Sequence, residues 1–284
     1  MRVACIQMRS CMDESTNIAE MTRLTREAVG QGAIYVQTPE MTGMLQRNRA
    51  ALFAGISPDE CNPVFAAAAQ LALEHGIWMH VGSTAVDLGN GKAANRAAVF
   101  SPSGERVASY DKLHMFDVDL DNGESWRESA VYTPGNQAVV TEIAKIRTGL
   151  AICYDVRFPQ LFQAQAIHGA QVLTCPAAFT RQTGEAHWHL LMRARAIENG
   201  AYMIAAAQGG RHEDGRETYG HSLVVDPWGA IVGELAHAEP GVLVCEVDPA
   251  QTLAARAKIP NLMNRREFSL VAAQSADTRK RGAA

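Results

Sequence analysis

Residues 3–83 alternate between short apolar runs and amphipathic segments of helical spacing, and this alternation confines the chain to an α/β layer fold. Residues 3–7, 33–37 and 77–83 read as strands. Residues 17–29 carry Ile18, Met21, Leu24, Thr25 and Ala28 as a helical stripe. Residues 62–75 form an alanine-rich helix that Gly76 is placed to stop. The second strand ends in Thr38-Pro39-Glu40, and proline cannot extend a central strand. Glu40 therefore falls just past a strand's C-terminal edge.

Two later segments repeat one pattern, Val99-Phe100-Ser101-Pro102-Ser103-Gly104 and Val224-Val225-Asp226-Pro227-Trp228-Gly229, each followed by a further apolar residue. Both predict a β-hairpin with a proline-directed turn, over residues 97–107 and 223–232. The parallel points to two sheets with one hairpin each. Residues 138–152 and 171–175 add strands, as do 202–208 and 241–247. Residues 185–200 form a long helix with Leu190, Leu191, Ala194, Ile197 and Ala201 on one face. Residues 209–221 read as a loop, and Gly209-Gly210 lacks the strand and helix of a phosphate cradle. No linker interrupts the chain, so residues 1–270 are expected to form one domain and 271–284 a frayed tail.

The stretch from Gly149 to Pro159 begins as a buried strand and changes character at Cys153, with a helix expected over 160–169. A strand-to-helix corner is where open α/β sheets place their chemistry. Cys153 is then either a small buried hydrophobe or a nucleophile. Glu40 and Lys112 also stand at strand ends. Singly, Glu40 could cap a turn and Lys112 could pair with Asp111. Together with Cys153 they supply what a thiol nucleophile requires, a base for its proton and a cation for the thiolate and the oxyanion.

Composition narrows the alternatives. With 47% apolar and 20% charged residues, the 284-residue chain can bury a large core. A net charge of −4 gives no reason to expect nucleic acid or an anionic membrane as partner. No apolar run reaches membrane-spanning length, and residues 1–10 read as a strand instead of a signal sequence. The expected compartment is the cytosol. Six scattered cysteines without a Cys-x-x-Cys pair fit neither a zinc ribbon nor a disulfide scaffold.

These residues carry a resemblance. Thr38-Pro39-Glu40, Lys112-Leu113-His114-Met115-Phe116-Asp117 and Cys153-Tyr154-Asp155-Val156-Arg157-Phe158-Pro159 resemble motifs of the nitrilase superfamily of carbon–nitrogen hydrolases, in its Nit amidase branch. Thr183-Gly184, Ala186-His187-Trp188, the run Arg193 to Glu198 and Tyr219-Gly220-His221-Ser222 agree, over roughly residues 2–268. The resemblance implies a four-layer αββα sandwich, dimerisation between sandwiches, and a Glu-Lys-Cys triad of Glu40, Lys112 and Cys153. It implies a second glutamate at Glu128, ahead of Pro134-Gly135, with Glu124 the weaker carrier. The region 46–56 matches no particular pocket, and Arg147-Thr148 before Gly149 departs mildly from the branch pattern.

The chemistry implied is acyl transfer. Cys153 attacks an amide carbonyl, Glu40 takes and returns the proton, and Lys112 with the Tyr154 backbone N–H holds the oxyanion. No cofactor or metal is called for. The branch handles small anionic amides, ω-amides of 2-oxo acids and deaminated glutathione, so Arg157 is expected to clamp a substrate carboxylate, with Phe179 and Thr183 lining the pocket. A nitrilase or N-carbamoyl amine hydrolase with the same triad is the alternative, and a non-catalytic scaffold a remote one. A zinc amidohydrolase is disfavoured, because His187 and His189 are two apart on a helix and face different sides. Arg193, Arg195 and Glu198 read as a charged helix face or a dimer-surface network.

Overall fold

The computed structural model describes residues 1–120, 123 and 125–271. Glu124 and the tail from 272 onward lie outside the described residues. The chain runs β1 (Arg2–Gln7), α1 (Glu14–Gly30), β2 (Tyr35–Gln37), α2 (Arg49–Gly55), α3 (Pro63–His75), β3 (Trp78–Asp87), β4 (Ala93–Phe100) and β5 (Arg106–Asp111). It continues with β6 (Asp117–Asp119), β7 (Ser125–Arg127), β8 (Val139–Ile143), β9 (Ile146–Leu150), α4 (Pro159–Ile167), β10 (Val172–Thr174) and α5 (Arg181–Asn199). The last elements are β11 (Tyr202–Ala205), β12 (Gly209–Arg211), β13 (Glu217–Tyr219), β14 (Leu223–Val225), β15 (Ile231–Glu234), β16 (Gly241–Glu246) and α6 (Pro249–Lys258).

The pleat sorts apolar residues into two cores. On β1, Val3 and Cys5 face the second sheet while Ala4 and Ile6 face α1 and α3. On β4, Ala97 and Val99 take the first side and Ala98 and Phe100 the other. One sheet has the order β16-β1-β2-β3-β4-β5 and the other β15-β14-β11-β10-β9-β8. Helices α1 and α3 cover the first sheet, and α4 and α5 cover the second. The architecture is the expected αββα sandwich. Each sheet carries one of the two proline-directed hairpins, β4–β5 and β14–β15.

Local signals explain where elements start and stop. Asp13 caps α1 through Thr16 N–H, and Asn62 caps α3 ahead of Pro63. Gly76, at φ 64°, ends α3 in the left-handed conformation. The strand expected over 33–37 shortens to Tyr35–Gln37, and the 209–221 loop contains the hairpin β12–β13.

The face assigned to α5 is corrected. Leu190 and Ile197 are 68% and 51% exposed, while Trp188, Met192, Arg195, Ala196 and Asn199 are buried. Both sets recur at helical spacing, but Trp188, Met192 and Ala196 pack into the core, with Leu191 partly buried against it. Arg195 is part of that buried face. It donates to Val156 O at 2.8 Å and to Glu198 at 2.9 Å, so it does not belong to a solvated charged stripe. Among the described residues no helix is long and apolar enough to cross a membrane.

Candidate active site

Glu40, Lys112 and Cys153 follow β2, β5 and β9, and the stacking of the two sheets brings these three strand ends together. Each is fixed by its own backbone. The turn at Glu40 is closed by Thr42 Oγ1 donating to Thr38 Oγ1 at 2.7 Å and to Pro39 O at 2.8 Å. Gly82 packs beneath it, where a Cβ would lie 2.0 Å from Thr38 O and 2.6 Å from Pro39 O. Gln208 Nε2 donates to Glu40 O at 3.0 Å. Lys112 donates its N–H to Asn95 O at 3.0 Å, and its carbonyl accepts from Gly135 N at 2.9 Å. The Pro134-Gly135 turn thus rests on the lysine backbone, and a side chain at 135 would strike Asp111 O.

Cys153 begins a short 3-10 turn, Cys153–Arg157, and has φ 49°, an unusual value for a residue with a side chain. Its N–H donates to Pro176 O at 2.9 Å. Fully buried Asp155 holds the corner. One carboxylate oxygen accepts from Ile152 N–H at 2.8 Å and Tyr110 Oη–H at 2.6 Å. The other accepts from His114 N–H at 3.1 Å and lies 2.7 Å from His114 Nδ1.

The charged groups form one buried network. Lys112 Nζ donates to Glu40 Oε1 at 2.8 Å and to Glu128 at 2.9 and 3.1 Å. Asn95 Nδ2 donates to the same two carboxylates, at 2.9 Å to Glu40 and 3.1 Å to Glu128. Glu128 also accepts from Phe116 N–H at 2.6 Å, and Glu40 Oε2 from Ala178 N–H at 2.8 Å. Burial pushes the Glu40 carboxyl up, but Lys112 and hydrogen bonds from Lys112, Cys153 and Asn95 outweigh it and hold Glu40 below the usual carboxylate range. Burial works against the Lys112 ammonium too, yet Glu128 and Glu40 keep it well above its ordinary value. Burial and the Glu40 charge push the Cys153 thiol well up. The resting arrangement is a neutral thiol beside an ionised carboxylate that an ammonium holds in place.

A cavity of about 310 Å³ opens over this network. Glu40, Lys112, Glu128 and Cys153 line its floor. Met41, Met44, Leu45, Phe116, Tyr132 and Phe179 supply apolar wall, and Thr183 lines it as well. Arg157, the expected clamp, is not among the residues that line it. A 3-10 turn has three residues per turn, so the fourth residue after Cys153 does not share its side. The Arg157 guanidinium instead lies 5.4 Å from the Phe179 ring and 5.9 Å from the Tyr154 ring, and 3.3 Å from His187 Nδ1. His189 meets Glu234 at 2.8 Å, so the two histidines do diverge. The arginines that line the cavity are Arg47, Arg127 and Arg216. Sequence reasoning missed these and Asn95. Only the uninterpreted 46–56 segment and the arginine-bearing 209–221 segment hinted at them.

A model of the family described as carbon–nitrogen hydrolase matches residues 2–257. The chain is 36% identical to the deaminated glutathione amidase of Yersinia enterocolitica, over 98% of this chain and 97% of that protein. It is similar to the crystal structure of the Caenorhabditis elegans NitFhit protein, with a TM-score of 0.85 and 33% identity over 93% of this chain, and spans 65% of that chain. It is also similar to a mutant of the amidase from Nesterenkonia sp. AN1 that shows the result of Michael addition of acrylamide at the active-site cysteine. There the TM-score is 0.77 and the identity 28%, covering 92% of this chain and 98% of that one.

Proposed function

The chain belongs to the carbon–nitrogen hydrolase family and is an amidase acting on C–N bonds other than peptide bonds, and on that premise we propose that Glu40, Lys112 and Cys153 carry out its reaction. The observation that carries the assignment is the buried Glu40 carboxylate, which accepts from the Lys112 ammonium at 2.8 Å and lines one cavity with Lys112 and Cys153. Cys153 Sγ bonds to the amide carbonyl carbon as its proton passes to Glu40. Lys112 and the Tyr154 N–H neutralise the oxyanion. The C–N bond then breaks, and Glu40 gives the proton to the departing amine. Water attacks the thioester, losing a proton to Glu40, and that proton returns to the sulfur as the acid leaves. Glu128 orders Lys112 and takes no proton.

The substrate is a small anionic amide, deaminated glutathione or the ω-amide of a 2-oxo dicarboxylate. Relatives named deaminated glutathione amidase support this reading, as do the arginines around the cavity. Phe179 and Thr183 shape the wall against which the acyl chain lies, and Arg157 stiffens that wall from behind. The enzyme works as one catalytic domain in the cytosol and as a homodimer. Exposed Leu190, Ile197 and Trp228 offer the apolar surface a dimer needs.

Amine or ammonia release from deaminated glutathione, ω-amides, nitriles and N-carbamoyl amines tests the reading. One of the first two is expected to dominate, and Cys153→Ala to abolish turnover with the fold intact. Turnover by Cys153→Ala would overturn the nucleophile, and dominance of a nitrile or carbamoyl amine would overturn the substrate.

A further inference from the structure

The three arginines at the cavity are not equivalent. Arg127 is spent, since its terminal nitrogens donate to both Asp119 oxygens at 2.8 Å and to the carbonyls of Val118 and Trp126. Arg216 gives its Nε–H to Asp214 at 2.8 Å, which orients the guanidinium without covering it. Among the described residues no carboxylate pairs with Arg47. The guanidinium carbons of Arg47 and Arg216 lie 4.3 and 4.9 Å from the centroid of one ring, that of Trp126, which also lines the cavity. Stacking on an aromatic face holds a guanidinium in position while leaving its N–H edge available. Arg216 also lines the same cavity as Glu40, Lys112 and Cys153.

We infer that Arg47 and Arg216, braced on Trp126, form an anion subsite for a carboxylate carried by the amine half of the substrate. The inference rests on the amidase reading above and deepens it. The leaving nitrogen must reach Glu40 to receive its proton, so its substituent extends along the segment that follows Glu40. Met41, Met44 and Leu45 of that segment line the cavity and lead to Arg47. An amine that ends in a carboxylate meets the pair of guanidinium groups there, and ammonia leaves them idle. This favours substrates with a peptide-like, carboxylate-terminated amine over simple ω-amides.

Three amides of one 2-oxo dicarboxylate test it: that of cysteinylglycine, the same compound with its terminal carboxylate converted to a carboxamide, and the unsubstituted ω-amide. The wild type is expected to prefer the free carboxylate over the carboxamide by about tenfold or more in kcat/KM, the worth of one charge-assisted contact. Arg47→Gln is expected to shrink that ratio to about threefold or less, and Arg47→Glu to invert it. Arg47 is exposed and has no ion pair among the described residues, so neither change threatens folding. A ratio near one in the wild type, or a ratio that survives Arg47→Glu, overturns the subsite. An equal loss on the unsubstituted ω-amide overturns its assignment to the amine half. If the wild type hydrolyses none of the three, the substrate reading itself falls, a result distinct from hydrolysis without preference.

Discussion

Lys112 Nζ lies 2.8 Å from Glu40 Oε1, and the two side chains are only 2% and 5% exposed. An ion pair this deep is costly to assemble and more costly to break, because removing one partner strands the other charge away from water. Glu128 shares the ammonium, so two carboxylates face one cation. The excess negative charge is tolerated because Asn95 and the backbone N–H groups of Phe116 and Ala178 donate into it.

Lys112→Met is therefore expected to lose about 3–5 kcal/mol of stability along with activity. Glu128→Gln keeps the shape and one acceptor, and should lower kcat by about ten- to a hundredfold while the protein stays folded. Chemical denaturation beside steady-state kinetics separates the two. A Lys112→Met protein as stable as the wild type would mean that the network is not what holds the strand ends together.

Asn95 supplies a neutral donor where a charge would alter Glu40, the proposed base. In Asn95→Asp a third carboxylate joins the cluster and should raise Glu40 toward or above the usual range of ~4 to 4.5. The acid limb of kcat/KM then moves to higher pH by about one unit or more. Asn95→Ala removes the donor without adding charge, so its limb should move less. Equal limbs in the two variants would argue against Asn95 acting on Glu40 at all.

Stability should fall on mild acidification through two neutral buried histidines. His80 is pushed down to about 3 by burial, and His212 to about 4, chiefly by burial. His80 Nδ1 faces Tyr35 Oη at 2.8 Å and Gln37 Nε2 at 3.3 Å, so it accepts, and protonation spoils both contacts. Because the folded pKa values lie below the unfolded one, these contributions are fully present above pH ~6.5 and erode as pH falls toward the folded values. Between pH 7 and 5 each amounts to about 2 kcal/mol. Glu14, pushed up to about 7 by burial and by Asp13, works in the opposite direction. The readout is therefore a difference. Urea unfolding at the two pH values should show a smaller acid loss in His80→Asn than in the wild type, and an identical loss would remove His80 from the account.

The three catalytic candidates were legible because each lies within three residues of a strand's end, amid strong local signals such as the proline before Glu40. Asn95 was not, since it sits inside β4 and meets the site only through the pairing of β4 with β5, which sets its carbonyl against Lys112 N–H. Arg157 shows how sequence spacing and placement part. Proximity in sequence to Cys153 suggested proximity in space, and the tight turn between them brings its guanidinium against the Phe179 and Tyr154 rings. On α5 two apolar stripes competed, and only the packing partner decides between such stripes. Arg47 and Arg216 come from segments without periodicity, where sequence gives composition but no direction.

The Cys153 corner yields the last expectation, because two opposing effects meet there. A left-handed φ of 49° strains any residue with a Cβ, and Asp155 holds the strain by accepting on both carboxylate oxygens. Asp155→Asn presents an N–H₂ group to donors that need an acceptor, leaving buried groups such as Ile152 N–H or Tyr110 Oη–H unpaired. The expected cost is about 2–4 kcal/mol, with a fall in kcat as the nucleophile loses its aim. Glycine relieves the same strain at its source, so Cys153→Gly should be more stable than Cys153→Ala by about 0.5–1 kcal/mol, though neither turns over substrate. Thermal unfolding of the two inactive variants beside Asp155→Asn measures both halves. If the glycine variant is the less stable of the pair and Asp155→Asn unfolds like the wild type, the corner is held by packing and not by the Asp155 carboxylate.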